Sequence, residues 1–81
     1  MWFVYILKCE DNSFYTGISD NPDRRFLEHK NRKGGHYTSN HKVIQRVYLE
    51  QCEDRSSALK RERQIKGWRR EKKLLLINMS T

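Results

Sequence analysis

Residues 2–9, Trp-Phe-Val-Tyr-Ile-Leu-Lys-Cys, are apolar or aromatic at every position except Lys8. A short run of this kind, rich in β-branched and aromatic types, predicts a strand covered on both faces. Glu10-Asp11-Asn12-Ser13 is turn chemistry, and Phe14 to Ile18 predicts a second strand that closes a hairpin. Gly17 inside that strand predicts a kink or a close approach of another group to the backbone.

The pattern then changes period. Asn21-Pro22 starts a helix, because Asn caps well and Pro suits the first helical position. Asp23 places negative charge where the helix dipole favours it. This helix is expected to run to Asn31 or Arg32, with Gly34-Gly35 ending the region and residues 36–42 forming a polar loop. From Val43 to Cys52 the apolar positions Ile44, Val47, Tyr48 and Leu49 alternate in part, predicting a third strand at about 44–51. Asp54 or Ser56 caps a second helix over roughly 56–66, and Gly67 fits its C-terminal cap. Arg69 to Asn78 is a last helix, with Leu74, Leu75, Leu76 and Ile77 expected to face the core. The order ββ-α-β-αα is that of an α+β fold, a small three-stranded antiparallel sheet flanked by helices. It is expected to form one domain over residues 1–81.

Composition adds a partner. Of 81 residues, 17 are Lys or Arg and 10 are Asp or Glu, for a formal charge of +7. The first twenty residues are net acidic and the positive charge lies in the rest, which points to a polyanion, nucleic acid first among them. Cys9 and Cys52 form no CxxC pair and are expected to be reduced core residues. The N-terminus has no charged lead-in or small-residue cleavage site, and no apolar run reaches the ~18 residues of a membrane span. A cytoplasmic protein is expected.

Glu62 is the residue that a purely structural account handles least well. At 100° per residue, with Ala58 at 0°, Ile65 falls near −20° and Glu62 near 40°, within the apolar stripe. A carboxylate there is expected to be partly buried and to need a cation. A basic side chain meets that need, and so does a hard divalent ion. Arg25 and His29 are helix neighbours four apart, which serve equally as a solvated face or as a phosphate clamp beside a hydrogen-bonding group. Glu28 and Arg32 form a second such pair, read as surface support. Tyr5 and Tyr15 stand one on each hairpin strand, either as core aromatics or with both hydroxyls in one cleft. His36 and His41 are taken as solvated or phosphate-facing. Lys33, Tyr37 and Lys42 in the same stretch suit a nucleic-acid backbone with an aromatic for stacking. Glycine-rich phosphate loops, zinc-ligand spacing and Ser/His/Asp arrangements are absent.

Taken in order, these residues resemble the GIY-YIG nuclease superfamily, in its short stand-alone bacterial (excinuclease-like) branch. The resemblance rests on Phe3-Val4-Tyr5, Tyr15-Thr16-Gly17-Ile18, Asp23-Arg24-Arg25 with His29, Gly34-Gly35-His36-Tyr37-Thr38, Arg46-Val47-Tyr48-Leu49-Glu50, and Ser57-Ala58-Leu59-Lys60-Arg61-Glu62 before Gln64-Ile65-Lys66. It implies a metal-dependent endonuclease acting on phosphodiester bonds in DNA, linked to repair or recombination. Tyr5 and Tyr15 would line the active site, one of them activating water. Arg25 would hold the scissile phosphate, His29 would relay a proton or hydrogen-bond, and Glu62 would bind one Mg²⁺ or Mn²⁺. Gly17 would leave room at the cleft. Lys33, Tyr37, Lys42 and Lys66 are the expected nucleic-acid contacts. The first motif has Phe3 where the family pattern has glycine, and Asn78 is the only late asparagine to set against one found in larger members. Weak, structure-selective or partner-dependent cleavage is expected rather than tight site-specific cutting. Charge and fold alone are also consistent with a non-catalytic nucleic-acid-binding module or a recruited subunit of a repair complex.

Overall fold

β1 (Trp2–Cys9) is the middle strand of a three-stranded sheet in a computed structural model that describes residues 1–31 and 41–79. Its apolar run is explained by that position, because a central strand is covered on both faces. β2 (Phe14–Ser19) and β3 (Val43–Cys52) pair with it antiparallel on either side. α1 (Pro22–Lys30), α2 (Arg55–Lys66) and α3 (Arg70–Met79) complete the expected ββ-α-β-αα order. No helix among the described residues is long and apolar enough to cross a membrane.

The period of two divides β1 between two layers. Val4 and Ile6 pack with Ala58 and Ile65 of α2 and Ile77 of α3. Tyr5, Leu7 and Cys9 point the other way, against Val43, Tyr15 and Phe26 of α1. The register places Tyr5 opposite Gly17 and Leu7 opposite Tyr15, so both tyrosines lie on the α1 face. Register shifts between β1 and β3 at Ile6/Leu7 and Lys8/Cys9 bend that pair locally.

Local chemistry sets the element ends. Asn12 adopts φ 68°, a left-handed conformation that asparagine tolerates, at the hairpin turn. The Asp11 carboxylate accepts from the Ser13 amide at 3.1 Å and hydroxyl at 2.6 Å. Asn21 caps α1 by accepting from the Arg24 amide at 3.1 Å, with Pro22 in the first turn. Asp54, rather than Ser56, caps α2, accepting from the Ser57 amide at 2.8 Å. Gly67 ends α2 in a right-handed conformation, its amide shared between the carbonyls of Arg63 and Gln64, while the Trp68 amide donates to that of Ile65.

The leucine run of α3 differs from expectation. Ile77 is buried and Leu76 packs on the core, but Leu74 and Leu75 are exposed. Four consecutive helical residues sweep about 300°, so they cannot share one face. On β3, Ile44 and Leu49 likewise face outward.

Gly17 is where the fold is least tolerant of a larger residue. A Cβ there would stand 2.6 Å from the Tyr5 hydroxyl oxygen, 2.7 Å from its ring and 3.0 Å from the ring of Tyr15. Tyr5 is 2% exposed and has little freedom to retreat. Gly17→Ala is expected to lower stability by about 1–3 kcal/mol through overpacking, read as a fall in the urea midpoint. A midpoint equal to wild type would contradict the close approach.

Candidate functional site

Five side chains named by the sequence come from four elements: Tyr5 from β1, Tyr15 from β2, Arg25 and His29 from α1, and Glu62 from α2. The first four meet directly. The Tyr5 hydroxyl lies 2.9 Å from His29 Nε2. The Tyr15 ring is centred 4.9 Å from the imidazole and 6.3 Å from the Tyr5 ring. Arg25, one turn earlier on α1, is near enough to act on the Tyr5 oxygen as a donor and as a charge. The solvated-face alternative for His29 is excluded, since its residue is wholly buried.

The direction of these hydrogen bonds follows from the donors available. Guanidinium only donates, so the Tyr5 oxygen accepts from Arg25 and its own proton can go to His29. Burial pushes the Tyr5 phenol up to about 12, reinforced by Tyr15 and by the negative charge of Glu62, against the opposing pull of Arg25. Burial also pulls His29 down to about 4, helped by the neighbouring Arg25 charge. At neutral pH the pair is therefore a protonated phenol and a neutral imidazole. Desolvation resists the Arg25 charge, but Tyr5 and Glu28 together outweigh it and hold its pKa above the ordinary value. Glu28 lies 3.4 Å from Arg25 Nη1, and its expected pair with Arg32 falls outside the described residues. The three-residue spacing was the available signal.

Glu62 enters from the other layer. Its side chain is 15% exposed, as the helical projection anticipated, and its ion pair is with Lys66 on the next turn at 3.6 Å. It is also close enough to act electrostatically on Tyr5. Among the described residues no three His, Cys, Asp or Glu side chains come together. Mg²⁺ commonly binds through one or two carboxylates, with water and substrate oxygens filling its shell. A half-buried Glu62 beside a cluster of phenol and guanidinium fits that kind of one-carboxylate site.

The remaining sequence-predicted residues divide. Lys66 adjoins Glu62. Lys42 lies away from the cluster, its ammonium 3.9 Å from Glu10 and its carbonyl accepting from the Glu10 amide at the hairpin turn. His41, expected to be solvated or phosphate-facing, contacts Asp11 at 2.8 Å. The Ser13 hydrogen bonds, then His41, hold the Asp11 carboxyl down to about 2. Lys33, Tyr37 and His36 fall outside the described residues, as does Arg32. Asn78 is exposed at the end of α3.

The chain has known relatives. Residues 1–74 match the family model of the GIY-YIG catalytic domain. A UPF0213 protein of Staphylococcus saprophyticus is 43% identical over 94% of this chain and 93% of its own length. A second, from Desulfotalea psychrophila, is 45% identical over 98% of this chain and 73% of its own length. The solution NMR structure of a UPF0213 protein from Bacillus halodurans is similar at a TM-score of 0.59 and 32% identity, covering 98% of this chain and 85% of that one.

The low pKa of His29 has a consequence for stability. Between its ordinary value of 6.5 and about 4, the unfolded chain binds a proton that the folded chain refuses. The contribution is therefore complete above pH 6.5 and is lost as pH falls through 4, by about 3 kcal/mol in all. Urea unfolding at pH 7 and pH 4.5 is expected to show this loss in wild type and to show it missing from His29→Gln. Parallel pH dependence in the two proteins would contradict a buried neutral imidazole.

Proposed function

The chain belongs to the GIY-YIG catalytic-domain family, and from that premise we propose that it is a divalent-metal-dependent endonuclease hydrolysing phosphodiester bonds in DNA. The observation that carries this reading is the convergence of Tyr5, Tyr15, Arg25 and His29 on one point that Glu62 also influences. A guanidinium beside a buried phenol can satisfy its oxygen in a packed cluster, and its planar paired donors also match phosphate oxygens, which is the use the family membership favours here.

Each residue has a task in this reading. Arg25 orients the phosphate and stabilises the charge that develops on its oxygens. Tyr5 stands between Arg25 and His29, so it can accept a proton from the attacking water on its oxygen while passing its own to His29 Nε2. With Tyr5 protonated and His29 a weak acceptor at neutral pH, neither is a strong standing base, so in this reading the two proton transfers are coupled. Tyr15 is half-buried, against the nearly full burial of Tyr5, and is better placed to hold that water at the entrance. Glu62 would hold Mg²⁺ or Mn²⁺, which when bound supplies Lewis-acid stabilisation of phosphate and leaving oxygen. A role in DNA repair or recombination belongs to the same proposal and rests on the family resemblance alone.

The test is nicking of branched, gapped and single-stranded DNA with Mg²⁺ or Mn²⁺. Glu62→Gln and Arg25→Ala are each expected to lower the cleavage rate by about 100-fold or more, while Glu62→Gln retains salt-sensitive DNA binding. If Glu62→Gln cuts as fast as wild type, the metal assignment fails. If wild type cuts none of these substrates with either ion, the enzyme reading fails.

A further inference from the structure

The whole net charge of the protein sits on one helical pair. Residues 55–73, which span α2 and the first turn of α3, contain nine Lys or Arg and two Asp or Glu. That is a net +7, equal to the charge of the full chain, so the eight bases and eight acids elsewhere cancel. Within this segment Arg61 is engaged internally, donating to Glu50 at 3.2 Å and lying over the Trp68 ring. Arg55, Arg70 and Lys72 lie over Trp2, Phe14 and Trp68.

Three exposed bases remain on α2 with a spacing of their own: Lys60, Arg63 and Lys66. Neither Lys60 nor Arg63 forms a salt bridge among the described residues, although Lys60 acts electrostatically on the exposed Asp54, and Lys66 pairs with Glu62. At 100° per residue, Lys66 lies about 40° round the helix from Glu62, Arg63 about 100° and Lys60 about 160°. The row thus starts at the edge of the candidate site and winds onto the outer face of α2. It rises about 9 Å, against about 3.4 Å of axial spacing between phosphates along one DNA strand. Lys60 and Arg63 also line a shallow groove with Ser57, Arg61 and Gln64, whose hydroxyl and amide are further phosphate donors. A face that only needed solubility would gain from mixed signs. This one has a single sign, a regular step and an origin beside Glu62.

We propose that Lys60, Arg63 and Lys66 form a phosphate track that leads a nucleic-acid strand over α2 to the Tyr5–Arg25–Glu62 site. The inference rests on the endonuclease reading for its ligand, but its test does not depend on cleavage. The track binds backbone, so it accepts any sequence, and it contributes about three charges to the salt dependence.

The experiment measures binding of fluorescently labelled single-stranded and duplex DNA, by polarisation without divalent metal, across a NaCl series. Wild type is compared with Lys60→Gln/Arg63→Gln/Lys66→Gln, with Lys60→Gln and Arg63→Gln singly, and with the charge-preserving Lys60→Arg/Arg63→Lys. The triple variant is expected to bind roughly 100-fold more weakly at 0.1 M salt, with a log–log salt slope shallower by about 2–3, at about 0.7–0.9 per phosphate contact. Each single variant should lose about one-third of that change, and the charge-preserving variant none. The arm with the larger change identifies the form of DNA that follows the track. If wild type binds steeply and the neutralised variants keep its slope, the track is wrong and the endonuclease reading stands. If wild type shows no salt-dependent binding to either DNA, the endonuclease reading falls, and the track with it.

Discussion

The absence of a side chain at Gly17 is the constraint on which the site depends. Tyr5 faces Gly17 across the β1–β2 ladder, and its ring occupies the space that a Cβ would take. Without that space the hydroxyl could not lie where His29 Nε2 meets it at 2.9 Å, nor could Tyr15 close on the imidazole. The hairpin register, the alternation of β1 and the docking of α1 through Phe26 all serve to bring those groups to one place.

Desolvation then gives these groups their chemical character. The same burial that raises Tyr5 lowers His29, because each charged form loses water while the neutral forms share a hydrogen bond. Arg25 is the permanent charge in the cluster, and it disfavours a second cation at His29 while favouring negative charge at Tyr5. With Tyr5 and His29 both neutral, Arg25 is the cation of the cluster, balanced by Glu28 at 3.4 Å. The structural ion pair between Glu62 and Lys66 does not conflict with a ligand role. An exposed i,i+4 partner is held weakly and can turn outward toward a phosphate.

Much of this was legible in the sequence, for identifiable reasons. The apolar run at 2–9 read as a strand covered on both faces, and Asn21-Pro22 and Asp54 or Ser56 marked two helix starts through capping chemistry. Glu62 stood out because helical periodicity placed a carboxylate in an apolar stripe. Periodicity could not say which tyrosines shared a face, since that depends on hairpin register. Nor could it show that Arg25 prefers Glu28, that His41 turns to Asp11, or that Leu74 and Leu75 stay exposed. Those outcomes depend on rotamers and on neighbours distant in the chain. Residue roles came from the resemblance to known nucleases, as spacing alone left both a structural and a functional account open.

The central claim is that Glu62 and the Tyr5–His29–Arg25 cluster are one site for a divalent ion. Titration with Mn²⁺, followed by paramagnetic broadening of assigned NMR signals, tests it without reference to activity. The account predicts that substoichiometric Mn²⁺ broadens Glu62, Tyr5, Tyr15 and His29 first, and that Glu62→Gln removes the effect while leaving the spectrum folded. Broadening that begins instead at Glu10 and Asp11 of the hairpin turn, or that persists unchanged in Glu62→Gln, would contradict it.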